Sequence, residues 1–315
     1  MIYIACLPKF ATGGTELLHQ FGAELMARGI DVRMLYHGAE GDPVAPRFKK
    51  YAVPYVTDIA SPSGDDVIVV PEVLTDLLYE WPGMRKVIWW LSIDFYFRSF
   101  WSKRNLRRRW LQRKRFYRFN DPQVMHFVQS EYAHRFLTGR NVAVTGDLSD
   151  YLGDDFIASA AQGANAQRQP IVVYNPKKGI EFTRKLMAMA PDVTFRAIEN
   201  MTPVEVAGLL QSAAVYIDFG NHPGKDRIPR EAAISGCIVV VGKRGSADNP
   251  VDVPIDSMFK FDTDKAGLAA AAELLRRAVR DPQAYIPMFD TYRAMISGEK
   301  NIFQQQVDDF IGYLG

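Results

Sequence analysis

The sequence is poor in cysteine, has no long apolar run and carries almost no net charge. Cys6 and Cys237 are the only cysteines in 315 residues. Two thiols cannot build a disulfide framework, and each lies at or in an apolar run, where a free cysteine packs as a small core residue. No apolar run approaches the roughly 18 residues of a membrane span. The N-terminal MIYIACLPKF lacks a basic leader, and its apolar stretch is too short for a secretory signal. A reducing, cytoplasmic location is the default expectation. With 38 Lys+Arg against 36 Asp+Glu the balance is +2, so bulk charge names no partner. The dinucleotide pattern G-x-G-x-x-G is also absent.

What remains is ordinary for a folded chain: 48% apolar and 23% charged residues, which excludes a disordered one. At roughly 150 residues per domain, the length suggests about two domains. Strand-like and helix-like segments alternate. Residues 2–7, 31–37, 66–70, 86–91 and 124–129 read as strands, with another short strand near 142–144. A helix with Leu17, Leu18, Phe21 and Leu25 on one face follows the first strand, with Thr15 as its expected cap. Residues 158–169, ASAAQGANAQRQ, are poor in large apolar groups and read as a linker. The alternation then restarts: strands at 171–174, 193–198, 214–218 and 237–241, with helices at 179–190, 203–211, 229–235 and 265–279. A last helix over 302–313 places Phe303, Val307, Phe310 and Ile311 on one face. Strands separated by helices imply right-handed βαβ units and parallel sheets. The expected fold class is α/β. Its parts are a first domain over 1–157, a linker over 158–169, a second domain over 170–290 and a C-terminal segment over 291–315.

The near-zero total conceals a lopsided distribution. Ten basic residues and no acidic ones lie between Arg98 and Arg118, leaving 28 basic and 36 acidic groups elsewhere, a balance of −8. Nine aromatics are interleaved over 95–119, among them Trp101 and Trp110. Arg104, Arg107, Arg108, Arg109, Trp110, Arg113, Lys114 and Arg115 form the densest part. A basic aromatic helix of this kind suits an anionic membrane surface, an acidic polysaccharide or a nucleic acid.

In open parallel sheets, ligands bind beyond the carboxyl ends of strands, so the loops there hold the candidates. Gly13 and Gly14 follow the first strand and open a helix, where backbone N–H groups favour anions. Asn175, Lys177 and Lys178 follow the first strand of the second half, where a lysine and a helix N-terminus can meet a phosphate. His222, Lys225, Asp226, Arg227, Arg230 and Glu231 crowd a ten-residue stretch. There a carboxylate can accept from a ribose diol, and arginines can neutralise phosphate bidentately.

The stretch VVYNPKKGIEFTRKLMAMAPDVTFRAI, then VYIDF, then PREAAISGCIVVVG resembles the donor-binding domain of GT-B glycosyltransferases. It is most similar to the retaining family-four group of bacterial polysaccharide and lipopolysaccharide transferases. Lys178-Gly179 matches a Lys-Gly pair whose lysine contacts the donor diphosphate. Glu231-Ala232 with Gly236, Val239 and Val240 matches the glutamate motif that holds the nucleotide ribose. Gly13-Gly14-Thr15-Glu16 resembles the family's glycine-rich loop, and His126–Leu137 its strand–Ser–helix closing the acceptor domain. Two positions depart from the pattern: Pro223 stands where a second glutamate is usual, and Val172 and Val173 where an arginine is usual. The first domain's usual histidine is also not evident, and Ser92 and Asp94 occupy that region.

The resemblance implies two Rossmann-like domains facing a cleft, with the C-terminal helix crossing back to the first domain. It implies transfer of a sugar from a nucleotide-diphosphate sugar to a hydroxyl, with retention at the anomeric carbon. The acceptor would be a saccharide or lipid-linked saccharide in cell-surface polysaccharide or lipopolysaccharide synthesis. Lys178 and Glu231 would carry the donor chemistry, and Asp94 is the acceptor-side candidate. No acidic pair shows metal-ligand spacing, so no metal and no bound cofactor are expected; the nucleotide sugar is a substrate. Such an enzyme would sit in the cytoplasm, peripheral on the inner face of the membrane. The competing reading is a non-catalytic protein that binds anions or nucleic acid through residues 95–119.

Overall fold

The computed structural model describes residues 1–101, 107, 110–111, 117–119, 121–162 and 167–315. Met1–Asp150 together with Asn301–Gly315 form one unit, and Tyr151–Lys300 form the second.

Unit 1 holds a seven-stranded parallel sheet. Its strands are β1 (Ile2–Ala5), β2 (Val32–Leu35), β3 (Tyr55–Val56), β4 (Val67–Pro71), β5 (Arg85–Trp90), β6 (Val124–Val128) and β7 (Gly146–Asp147). The order is β3-β2-β1-β4-β5-β6-β7. Strands buried on both faces read as continuous apolar runs, as in the fully buried VIVVP of β4. The chain runs outward from β1 to β3, then returns to set β4 against the free side of β1. One face buries Ile68, Val70, Ile88, Trp90 and Tyr96 in a common cluster.

Helix α1 (Gly13–Ala27) starts earlier than the sequence pattern suggests. Thr12 is its cap, and Thr15 returns the bond: Thr12 N donates to Thr15 Oγ1 at 2.9 Å, and Thr15 N to Thr12 Oγ1 at 3.4 Å. Both glycines therefore lie in the first turn of the helix. Helix α2 (Ile93–Phe100) follows β5, and α3 (Glu131–Thr138) follows β6 with the Ser130 side chain as its cap. No strand forms at 142–144. Val142 turns inward, and its N–H closes on Leu137 O at the end of α3 (3.1 Å), so pairing resumes only at β7.

Unit 2 starts with α4 (Asp154–Gln162). Its parallel sheet comprises β8 (Gln169–Tyr174), β9 (Thr194–Ala197), β10 (Ala213–Asp218), β11 (Ile238–Gly242) and β12 (Lys260–Phe261), ordered β12-β11-β10-β8-β9. Helices α5 (Ile180–Met189), α6 (Pro203–Ser212) and α7 (Arg227–Ile234) connect successive strands, and α8 (Lys265–Arg280) follows β12. The division between units falls at Asp150/Tyr151, earlier than the expected 157/158. The expected linker 158–169 contains the end of α4 and the first residue of β8. Within it, Arg168 is anchored: its guanidinium donates to Leu210 O, Gln211 O and Ser235 O.

Helix α9 (Asp290–Leu314) begins in unit 2 and ends in unit 1. Its last part supplies Phe303, Val307 and Phe310, all fully buried. Phe310 meets the rings of Phe21 and Phe127 at 5.0 and 4.9 Å between centroids, and Phe303 stacks on Trp89 at 6.3 Å. Among the described residues, no helix is long and apolar enough to cross a membrane. Cys6 and Cys237 are free and buried, and burial pushes both thiols up to about 12.

Candidate functional site

Both sheets have a point where the strand order reverses, and such points open a crevice at the carboxyl ends. In unit 2 it lies between β8 and β10, since β9 adds to one side of β8 and β10 to the other. Two loops emerge there: 175–179 after β8 and 219–226 after β10.

The first loop is a tight turn. Asn175 Oδ1 accepts from Lys177 N (3.0 Å), and Asn175 O from Lys178 N (3.2 Å). Gly179 then adopts a left-handed backbone (φ 59°) at the N-cap of α5. A Cβ there would also lie 2.4 Å from Gly220 N, so only glycine fits. Gly220 answers from the second loop: a Cβ on it would lie 2.7 Å from the Lys178 Cβ and 2.9 Å from Asp218 Oδ1. The two loops interlock through these glycines.

The interlock gathers four charged groups. Lys178 Nζ donates to Asp226 Oδ2 and stands 3.7 Å from Asp218 Oδ2. His222 lies between the same carboxylates, with Nδ1 2.8 Å from Asp226 Oδ2 and Nε2 3.4 Å from Asp218 Oδ1. The His222 side chain is 1% exposed, Asp218 2% and Asp226 27%. Asp218 also accepts from Gly220 N (2.9 Å) and Tyr216 OH (3.3 Å). Burial alone would push His222 down, but the carboxylates of Asp218 and Asp226 reverse this and hold it up at about 9. Burial likewise works against ionised Asp218, which His222 and Lys178 nevertheless hold at about 2. The lysine is raised against its burial by Asp218 and Asp226. At neutral pH the cluster therefore contains two carboxylates, an ammonium and an imidazolium.

The sequence shows no acidic pair with evident metal-ligand spacing, but the fold brings three possible ligand groups together. Asp218, His222 and Asp226 bring ligand atoms within 4.8 Å of one another. The spacing was invisible in sequence because a loop, not a helix, folds these residues together. As arranged, Lys178 and the imidazolium protons occupy the positions from which these oxygens would bind a cation.

The other predicted donor residues divide. Lys177 is exposed, and Arg227 and Glu231 are half-buried in the first turns of α7. Arg230 points elsewhere: it is 1% exposed, and its guanidinium donates to Glu299 of α9 at 2.6 Å and to the Asp226 and Lys225 carbonyls. Lys225 Nζ reaches the same glutamate at 2.8 Å. Arg230 is an internal clamp of unit 2, because a buried guanidinium must be paired. The end of the matched motif has its own logic. Gly236 has φ 89°, and a Cβ there would stand 2.0 Å from the Arg168 guanidinium.

In unit 1 the reversal lies between β1 and β4. Gly13 and Gly14 sit at the first, and Glu72 follows the second. Glu72 escaped the sequence reading. It is 3% exposed, accepts from Leu91 N at 3.0 Å and is pushed by burial up to about 7. It thereby braces the turn leading to Asp94, which lies half-buried in the first turn of α2. Of the basic aromatic patch, Arg104, Arg108, Arg109, Arg113, Lys114 and Arg115 lie outside the described residues. Arg107 is exposed, as are Trp101 (64%), Trp110 (84%) and Leu111 (56%).

The fold is GT-B, the two-domain arrangement of many glycosyltransferases. The chain is similar over 99% of its length to 98% of sucrose-phosphate synthase from Thermosynechococcus elongatus, with TM-score 0.69 and 14% identity. It is similar to Anabaena HepE, solved in complex with UDP (TM-score 0.64, 13% identity, 99% of each chain). WaaG, a glycosyltransferase involved in lipopolysaccharide biosynthesis, gives 0.63 and 12% over 100% of this chain and 99% of that one. In sequence it is 24% identical to an alpha-1,6-glucosyltransferase of Actinobacillus pleuropneumoniae over 252 residues, 76% of this chain and 71% of that protein. No protein-family model matches.

Proposed function

We propose that this chain is a glycosyltransferase that binds a nucleoside-diphosphate sugar on unit 2. The observation that carries the reading is the placement of Lys178: half-buried, charged, at the strand-order reversal and beside the N-terminus of α5. That is where a diphosphate finds both a cation and free N–H groups. HepE, with the same fold, was solved with UDP and with UDP-glucose. Lys178 would hold the diphosphate, and Glu231 would accept from the ribose hydroxyls, with Lys177 and Arg227 at the rim. In the reaction an acceptor hydroxyl oxygen bonds to the anomeric carbon while the bond to the phosphate oxygen breaks. The electron pair leaves with the nucleoside diphosphate, which also takes the hydroxyl proton. Fixed positive charge stabilises that leaving group. Anomeric retention is part of the proposal and rests on resemblance.

Unit 1 would present the acceptor, a saccharide or lipid-linked saccharide. Exposed Trp101, Trp110 and Leu111 beside exposed Arg98 and Arg107 support attachment to an anionic membrane surface. Flotation with vesicles containing anionic lipid should recover the protein, and Trp101→Glu with Trp110→Glu should release it.

Thermal-shift titration with UDP, GDP, ADP and CDP and their sugars tests the central claim. One nucleotide family should raise the melting temperature, and Lys178→Ala or Glu231→Ala should weaken its binding by about tenfold or more. Silence toward every nucleotide, with salt-sensitive binding to nucleic acid instead, would replace this reading with the anion-binding one.

A further inference from the structure

The chain's own side chains already balance charge at the proposed diphosphate site. Lys178 and His222 supply two positive charges, Asp218 and Asp226 two negative ones. A diphosphate cannot use Lys178 fully while a carboxylate holds it.

The two carboxylates are not equivalent. Asp218 ends the buried strand β10 and is tied to Gly220 N and Tyr216 OH as well as to the cations. Asp226 is the more accessible of the two, half-buried at 27% against 2%. It stands at the N-cap of α7 but makes no side-chain capping bond. A single oxygen, Oδ2, meets both Lys178 Nζ and His222 Nδ1. An oxygen bridging two cationic donors at a helix-flanked crevice is placed as a phosphate oxygen would be.

We propose that Asp226 is a displaceable stand-in for a phosphate oxygen, and that a nucleoside diphosphate takes its place between Lys178 and His222. The proposal rests on the donor-site reading above and adds a second cation to it. Through the exchange Asp218 stays beside His222, and the phosphate replaces the charge of Asp226. The loop that carries the histidine is held independently. Ser246 N donates to His222 O (2.9 Å), Ser246 Oγ to Gly224 O (2.6 Å), and a Cβ on Gly245 would lie 2.1 Å from His222 O. The imidazole can therefore stay in place while the Asp226 side chain turns away. The groups facing it are Asp218, Asp226 and, through the shared carboxylates, Lys178 and Tyr216.

Calorimetric titration of the full chain with UDP, GDP, ADP and CDP tests this, with melting curves to confirm folding. Asp226→Asn removes the competing charge and should tighten binding of the responding nucleotide about tenfold, the worth of one charge-assisted contact. His222→Gln should weaken it by a similar factor. If His222→Gln fails to fold, the Asp226→Asn result decides. Asp226→Asn binding no tighter, or as weakly as Lys178→Ala, overturns the inference and leaves the donor reading standing. Titration with Mn²⁺ or Zn²⁺ alone is the rival arm: binding lost in both variants would make the cluster a cation site and overturn it. No response of the parent protein to any nucleotide removes the donor reading and this inference together.

Discussion

Gly179 and Gly220 touch through their backbones: a Cβ on Gly179 would stand 2.4 Å from the Gly220 amide nitrogen. This contact, between loops from neighbouring strands, sets Lys178 against Asp218. Gly179→Ala meets both the clash and a left-handed φ, and Gly220→Ala meets the Lys178 Cβ. Each should cost about 1–3 kcal/mol, the range for overpacking and backbone strain. Each should also lower nucleotide affinity, whereas Gly83→Ala, where a Cβ would meet nothing within 4 Å, should leave affinity unchanged. Denaturant titration and calorimetry check both.

Arg230 and Glu299 form a buried pair whose loss should register in stability. Glu299→Gln leaves the buried Arg230 and the Lys225 ammonium short of their shared countercharge. Breaking such a pair from one side costs roughly 3–5 kcal/mol. Arg230→Met combined with Glu299→Met should recover much of that loss, and this is measured as the midpoint of urea unfolding. Nucleotide affinity of the folded double variant should fall as well, because Arg230 also donates to the Asp226 and Lys225 carbonyls and so holds the loop that carries Asp226.

The cluster in unit 2 also fixes a window of pH stability. His222 is held at about 9 in the fold against about 6.5 in an unfolded chain. Its contribution is therefore complete below about 6.5 and is lost as pH rises through about 9. Asp218, held at about 2 against about 3.9 unfolded, contributes above about 4 and loses its share as pH falls through about 2. Melting temperatures across pH 3–10 should show an alkaline decline between about 6.5 and 9 that is flattened in His222→Gln.

Glu72 predicts the opposite behaviour for a carboxyl. Its fold value of about 7 lies above the ordinary 4.5, so the fold holds a proton that the unfolded chain releases. Its favourable share is complete below about 4.5 and disappears as pH rises through about 7. Glu72→Gln keeps an acceptor for Leu91 N without a charge to bury. At pH 8 it should melt roughly 2–4 °C higher than the parent, the shift for about 1 kcal/mol in a domain of this size. Near pH 4 the difference should vanish, as scanning calorimetry at the two pH values would show.

Much of the fold was legible in the alternation of apolar runs and helical faces, because both sheets are parallel and covered on two sides. Phe303, Val307 and Phe310 read correctly as one face of a terminal helix, since a 3.6-residue period needs no tertiary information. The short strands β3 and β12 escaped, each only two residues long and defined by its neighbour. Lys178 and His222 were visible as polar residues after strands. Asp218 looked like the end of a strand, and its pairing with both appears only when the β8 and β10 loops interlock. Arg230 misled for a related reason: its neighbours in sequence are ligand candidates, but its partner Glu299 is distant in the chain and invisible to local pattern.

The split membership of α9 reverses the order in which the two units can finish. Unit 1 is made first on the ribosome, yet Phe21, Trp89 and Phe127 wait for Phe303 and Phe310, which follow the whole of unit 2. During synthesis a half-built aromatic face stands open while the second unit completes its own core. The unit translated first is thus the last to close, and for that interval it is the part of the nascent chain most in need of protection from aggregation.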